Sequence, residues 1–177
     1  IIENKKFFNF LNKNLKKILN LSSPFIEKSI YESRKTKKKV VEKDEKETGL
    51  RKILNFGHTF AHAYEASLGY NRKLNHGEAV ILGMRTALSF SLNERILNKS
   101  EYNSIINHIK NSNLTFSIKK YFSIKDLNKI LSFMVKDKKN HSDNINLVLL
   151  KKIGVPIFNK QYSKRKLILF LKKFLVN

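Results

Sequence analysis

The chain has 177 residues, 41% of them hydrophobic, which is enough for one domain with a core of its own. It contains no cysteine, so disulfides, thiolate metal sites and cysteine nucleophiles are excluded, and no apolar run approaches the roughly 20 residues of a membrane-spanning helix. The formal net charge of +22 comes from lysines spread from end to end together with asparagine and isoleucine, which favours codon bias over a dedicated anionic partner.

The apolar residues recur mostly at helical spacing and glycine and proline are scarce, which predicts a mainly α domain. Taken in chain order, helices are predicted at 4–20, 24–41, 50–68, 75–97, 100–110, 125–136 and 164–175. An alternating, β-branched run at 144–150, followed by Gly154 and Pro156, predicts a short hairpin. The chain begins without methionine, already within a helical pattern, which indicates a fragment of a longer protein.

The third predicted helix carries an unusual polar stripe. At 100° per residue, five polar side chains fall within a fan of about 80°, namely Arg51, Asn55, His58, His62 and Glu65. The other three sides of this helix are apolar, and lysine, which covers the exposed faces elsewhere, is missing from the stripe. The stripe is either a narrow edge that reaches water or the wall of a polar, enclosed site, and the second interpretation is favoured because these side chains have defined hydrogen-bond geometry.

The histidines of this region have the spacing of metal ligands. His58 and His62 stand four residues apart on one helical face, and His76 begins the next helix, whose Asn75-x-x-Glu78 opening also resembles a capping box. A catalytic zinc takes about three protein ligands and keeps one open position. Glu65 and Glu78 are further candidates, so the spacing leaves open which three groups bind.

Lys37 is a second polar residue in an apolar setting. It shares a helical stripe with Ile26 and Ile30 on the second predicted helix. A lysine there either extends its ammonium group to solvent or meets an anion inside, and for this residue alone the first interpretation is favoured.

The segments GHTFAHAYE (57–65) and HGEAVILGM (76–84) together resemble the 3-dehydroquinate synthase family, and the resemblance runs from about residue 5 to about residue 158. It implies two domains, an N-terminal α/β domain that binds NAD and a C-terminal helical domain that supplies most metal and substrate groups. Residues 1–177 are similar to the second domain only, and no glycine-rich dinucleotide loop is present. Ala61, where the family usually has glycine, is a departure that leaves the polar face unchanged.

The resemblance implies a role for each matching residue. His58 and His76 resemble ligands of Zn²⁺ or another divalent ion such as Co²⁺, and the third ligand is expected to be a glutamate upstream of Ile1. His62 and Lys37 resemble catalytic groups, which reverses the preference stated above for Lys37. Residues expected to contact the substrate are Lys37, Glu47, Arg51, Asn55, His62 and one of Lys138 and Lys139. No NAD-binding residue is expected in this chain.

The reaction implied by the resemblance converts 3-deoxy-D-arabino-heptulosonate 7-phosphate into 3-dehydroquinate and phosphate in the shikimate pathway. NAD oxidises and later re-reduces the same substrate, so no net redox change results. A cytoplasmic homodimer is expected at full length, with no membrane or specific nucleic-acid partner and no turnover by this chain alone. Alternatives are another sugar-phosphate cyclase, a metal-dependent polyol dehydrogenase and, in another class, a basic helical nucleic-acid-binding domain, which would show steep salt dependence.

Overall fold

A computed structural model of the chain describes residues 1–70, 73–136 and 144–176. It confirms a mainly α fold with one hairpin. The helices are α1 (Lys5–Lys13), α2 (Leu15–Leu19), α3 (Phe25–Lys43), α4 (His58–Ser67), α5 (His76–Asn93), α6 (Lys99–Asn111), α7 (Leu127–Lys136) and α8 (Lys164–Val176), with short 3₁₀ helices at Leu50–Asn55, Ile118–Lys120 and Ile124–Asp126. Strands β1 (Asn144–Lys152) and β2 (Val155–Ser163) pair antiparallel. Within the described ranges, no helix has the length and apolar character needed to cross a membrane.

Two predicted helices are shorter than expected. The helix predicted over 4–20 is divided at Asn14, whose side-chain amide donates to the Phe10 carbonyl at 2.9 Å and so competes with the backbone hydrogen bonds of the helix. The fourth predicted helix ends at Asn93 and not near residue 97, because Arg95 adopts a positive φ of 56° and the chain turns back to the Ser91 carbonyl.

The prediction of a single helix over 50–68 is wrong. The 3₁₀ helix Leu50–Asn55 ends before Gly57, which adopts a left-handed conformation with φ 85°, and α4 starts only at His58. The uniform rotation of 100° per residue therefore applies to His58, His62 and Glu65 on α4. It does not apply to the two stripe residues on the 3₁₀ helix.

The break at Gly57 accompanies a very close approach of α4 to α5. A Cβ atom on Gly57 would lie 2.5 Å from the backbone nitrogen of Met84. One on Gly83, within α5, would lie 2.2 Å from the Gly57 carbonyl oxygen and 2.9 Å from the Ala61 nitrogen. Only glycine at both positions lets the two backbones touch, and the left-handed φ at Gly57 is also one that glycine adopts without strain.

Helix α5 is the centre of the domain, as its alanine-rich and aliphatic sequence predicts. It contacts α4, α6, α8 and β1, and its predicted capping box is confirmed, with Glu78 accepting the Asn75 N–H at 2.9 Å. The largest fully buried side chains around it include Phe56, Phe60, Tyr64, Leu88, Phe90, Ile130 and Leu131. Burying these large apolar groups is the main favourable contribution to folding.

One hydrogen bond inside this core yields a stability prediction. Thr86 donates to the Leu82 carbonyl at 2.9 Å, so its oxygen accepts from the Tyr64 hydroxyl at 2.8 Å. Both side chains are fully buried, and burial raises the pKa of Tyr64 above its usual range. We expect Tyr64→Phe to lower the free energy of unfolding by about 1 kcal/mol in urea titrations, because a buried acceptor loses its donor. Tyr70→Phe, at a position 75% exposed, is the control and should leave that energy unchanged.

The hairpin confirms the predicted alternation and extends it. Ile145, Leu147 and Leu149 of β1 are buried, and the Leu150 N–H donates to the buried Ser91 hydroxyl at 3.2 Å. The intervening residue Asn146 points away from that core, as the two-residue period of a strand requires. Its carbonyl oxygen accepts from Thr59 on α4 at 3.4 Å, which brings the hairpin beside the histidine-bearing helix.

Candidate metal and substrate site

Three imidazole rings meet where α4 and α5 begin. The ring centroids of His58 and His62 lie 5.6 Å apart, those of His58 and His76 6.0 Å, and those of His62 and His76 6.3 Å. His58 is the first residue of α4, His62 lies one turn later, and His76 is the first residue of α5. Residues separated by a loop in sequence are thus brought into one triangle by the packing of α4 against α5.

His58 has the environment of a neutral imidazole. Burial, above all, lowers its pKa; the carbonyl groups of Phe56 and Asn55 oppose this, and the neighbouring His62 and His76 lower the pKa further. Its Nδ1 atom is buried and makes no hydrogen bond of acceptable geometry with any described residue. A neutral ring leaves one nitrogen unprotonated, and this is the form in which histidine binds a metal ion.

His76 is held by a carboxylate. Its Nδ1 lies 3.0 Å from Oε1 of Glu65, in the last turns of α4, and the Glu65 side chain is only 13% exposed against 63% for His76. This is the arrangement in which a metal-binding histidine directs its second ring nitrogen towards the ion while the first is held by an acidic partner.

The rings fit a divalent metal incompletely without a further ligand. Two imidazoles that share a tetrahedral zinc at about 2.0–2.1 Å have centroids roughly 5–5.5 Å apart, slightly closer than the pairs seen here. Among the described residues no group of three or more histidine, aspartate or glutamate side chains is arranged to hold an ion. The described part of the chain therefore brings three imidazoles together without forming a complete metal site, and the predicted ligands remain expectations.

A polar cavity of about 570 Å³ opens beside His58 and His62. Of the residues predicted to contact substrate, it is lined by Glu47, Asn55 and His62. Sequence reasoning missed the other lining residues, which include Lys46, Lys52, Thr59, Asn146, Phe158 and Asn159. Most of these lie on the hairpin or the 3₁₀ helix. The one feature of the sequence that indicated them is a polar residue, Asn146, within the alternating run of β1.

The wall formed by the connector before the 3₁₀ helix is ordered by one carboxylate. The Asp44 side chain accepts the backbone N–H groups of Thr48, Gly49 and Arg51. The Arg51 N–H is the largest cause of the lowered pKa of Asp44. This turn places Glu47, with φ 57°, so that its Oε1 accepts from the Asn55 amide at 2.5 Å. Two predicted contact residues are thus held in a fixed mutual orientation.

Arg51 and Lys37 do not line this cavity. The Arg51 guanidinium donates to the Glu45 carbonyl at 2.5 Å. Lys37 is exposed and lines a different cavity, of about 360 Å³. The apolar stripe that it shares with Ile30 does not form a buried face, because Ile30 is 52% exposed and α3 buries Ser29 and Val40 instead. Lys138 and Lys139 lie outside the described residues.

The fold is shared with solved sugar cyclases. The chain superposes on 2-epi-5-epi-valiolone synthase from Streptomyces hygroscopicus, solved with NAD⁺ and Zn²⁺, with a TM-score of 0.78 over 97% of this chain and 47% of that one, at 16% identity. A second match is 2-deoxy-scyllo-inosose synthase, solved with NAD⁺, Co²⁺ and carbaglucose-6-phosphate, with a TM-score of 0.59 at 22% identity, covering 73% of this chain and 36% of that one. At such identities the likeness defines the class of fold.

Residues 1–140 match the family model described as 3-dehydroquinate synthase C-terminal, and the chain belongs to the 3-dehydroquinate synthase family. The protein of that name from Pelagibacter ubique is 61% identical over 98% of this chain. The one from Endomicrobium trichonymphae is 42% identical over 96% of it. The chain spans 47% and 45% of these relatives' lengths, and so corresponds to less than half of each.

Proposed function

We propose that residues 1–177 form the metal- and substrate-binding domain of an enzyme that converts 3-deoxy-D-arabino-heptulosonate 7-phosphate into 3-dehydroquinate and phosphate. The observation that carries this proposal is the convergence of His58, His62 and His76 beside a polar cavity, in a chain 61% identical to a protein named for that product. NAD would be bound by a further domain of the kind that the relatives' greater length allows.

In this proposal His58 and His76 hold a divalent metal as neutral imidazoles, with a glutamate from outside this chain as third ligand. A bound zinc ion lowers the pKa of a substrate hydroxyl and polarises a carbonyl. The neutral state of His58 is supported by the burial that lowers its pKa. His62, which is exposed beside the cavity, is placed to exchange protons with a substrate hydroxyl, a contribution typically worth about 10²–10⁴-fold in rate.

The charge of the cavity suits an anionic sugar acid phosphate. Lys46 and Lys52 line it, and the Lys52 ammonium group donates to the Asn159 side chain at 3.0 Å. The Asn55 amide, whose NH₂ group is held by Glu47, presents a carbonyl oxygen suited to accept from a hydroxyl. By the family resemblance we also assign carboxylate or phosphate binding to Lys37, Arg51 and one of Lys138 and Lys139. Lys37 and Arg51 do not line this cavity, and Lys138 and Lys139 lie outside the described residues.

The test is a turnover assay with the full-length protein. We expect it, with NAD and Zn²⁺ present, to release one phosphate per 3-dehydroquinate formed and to accumulate no NADH. Turnover of another sugar phosphate in its place would assign the protein to a different cyclase, and stoichiometric NADH formation from a polyol would assign it to a dehydrogenase. Salt-sensitive binding of nucleic acid with no turnover at all would overturn the enzyme proposal.

The assembly and the location of the full-length enzyme are also part of its function. We propose a cytoplasmic homodimer of full-length chains with a small-molecule substrate, and no turnover from these 177 residues alone. A size-exclusion measurement with light scattering tests the dimer, and the turnover assay repeated with the 177-residue chain tests its inactivity.

A further inference from the structure

We propose that Glu65 is a positioning residue that fixes the tautomer of His76 and turns its Nε2 atom towards the other two histidines. The inference deepens the proposed function, on which it rests for the role of the metal. Glu65 lies near the end of α4 and His76 at the start of α5, and their contact of 3.0 Å joins Oε1 to Nδ1.

The chemistry of the contact determines where the proton lies. A carboxylate oxygen accepts hydrogen bonds, so the proposed hydrogen bond requires the proton to lie on Nδ1 of His76. In the neutral ring Nε2 is then unprotonated and has its lone pair available. Without the carboxylate a neutral histidine distributes its proton between both nitrogens, and only one of the two tautomers presents Nε2 as a ligand.

The contact is not needed to hold the start of α5. That end is already closed by the capping box, in which Glu78 accepts the Asn75 N–H at 2.9 Å. Glu65 instead contacts a side chain that is 63% exposed, although its own side chain is 13% exposed. A largely buried carboxylate directed at an exposed imidazole stabilises the orientation of that ring more than the packing of the core.

The ring it orients belongs to the histidine triangle. The His76 centroid lies 6.0 Å from that of His58 and 6.3 Å from that of His62. Restricting its rotation before the ion arrives reduces the conformational freedom lost on binding, and loss of such a partner typically costs about 10–100-fold in metal affinity.

Glu94 offers a matched control. Its side chain is 11% exposed and forms an ion pair with Lys166 beyond the far end of α5, so it resembles Glu65 in burial and pairing but not in location. The variants to compare in the full-length protein are Glu65→Ala, Glu65→Gln and Glu94→Ala. Glutamine keeps an oxygen that can accept from Nδ1, so it should restore part of what alanine removes.

Two measurements test the inference. Zinc affinity is obtained by competition with a chromophoric chelator, and the His76 tautomer is obtained from long-range ¹H–¹⁵N correlation in the metal-free protein. We expect Glu65→Ala to weaken zinc binding about 10–100-fold and to shift His76 away from the Nδ1–H tautomer. Glu65→Gln should show a smaller change in both, and Glu94→Ala none.

Retention of the Nδ1–H tautomer in Glu65→Ala, or an equal loss of zinc affinity in Glu94→Ala, would overturn the inference. If Glu65→Ala does not fold, Glu65→Gln is the deciding variant. The inference is then contradicted if Glu65→Gln has the same tautomer ratio of His76 and the same zinc affinity as the unsubstituted protein and Glu94→Ala. The tautomer readout requires neither metal nor substrate. A protein that lacks 3-dehydroquinate synthase activity but shows the expected tautomer shift would contradict the proposed function and leave the role of Glu65 standing.

Discussion

His58→Ala in the full-length protein is expected to remove the divalent metal and turnover together. Burial lowers the pKa of His58 and so favours the neutral ring, the form in which histidine binds a metal ion. Removing a direct ligand should cost more than the roughly 10–100-fold in metal affinity typical of an outer-shell residue. Elemental analysis for zinc per chain and the phosphate-release assay measure the two effects.

His108→Ala is the matched control for this experiment. His108 is also partly buried, its pKa is also lowered chiefly by burial, and its ring packs against Phe8 away from the three-histidine cluster. It should lose some stability and keep both zinc and turnover. A folded His58→Ala protein that retains a full equivalent of zinc would show that His58 is not a metal ligand.

Gly83→Ala is expected to have the largest effect on stability. The added Cβ would lie 2.2 Å from the Gly57 carbonyl oxygen and 2.9 Å from the Ala61 nitrogen. Because both of these atoms belong to the backbone, no side-chain rotation relieves the clash. Alanine gains about 1 kcal/mol of helix propensity over glycine, but overpacking of this kind costs about 1–3 kcal/mol or more and here requires α4 to move away from α5. We expect a net loss of about 2 kcal/mol or more in urea unfolding, together with weaker zinc binding because the histidine triangle opens.

Gly77→Ala provides the comparison within the same helix. A Cβ at Gly77 has no atom within 4 Å, so the substitution should leave stability unchanged or raise it slightly. Equal stabilities of the Gly83→Ala and Gly77→Ala proteins would mean that the close contact of α4 with α5 does not constrain the fold.

Much of the site follows from local sequence. The His58–His62 spacing places both rings on one face of α4, and the Asn75-x-x-Glu78 pattern ends the loop and begins α5 at His76. These features depend on contacts within four residues, where helical geometry and capping rules hold. The alternation of 144–150 likewise predicted a strand, and the alternate residues Ile145, Leu147 and Leu149 form its buried side, because a strand has a fixed period of two.

Errors appeared where a distant backbone overrides a local pattern. The apolar and polar periodicity of 50–68 is compatible with one helix, but the chain breaks at Gly57 because α5 lies too close for any Cβ there. Arg51 consequently lies on the 3₁₀ helix and not on α4, and its guanidinium donates to the Glu45 carbonyl. The apolar stripe of Lys37 and Ile30 stays exposed, because periodicity alone does not state which neighbour a helix packs against.

By itself, the sequence determined the helical class, the hairpin, the helix start at His76 and the family to which the chain belongs. Only the tertiary structure decided that Glu65 meets His76, that Glu47 holds Asn55, and that residues such as Asn146 and Asn159 complete the cavity wall. The residues joined by such contacts are far apart in the sequence. Glu47 and Asn55 are 8 positions apart, and Lys52 and Asn159, which both line the cavity, are 107 positions apart. Periodicity reports only neighbours along one element, so contacts of that range depend on how the elements pack.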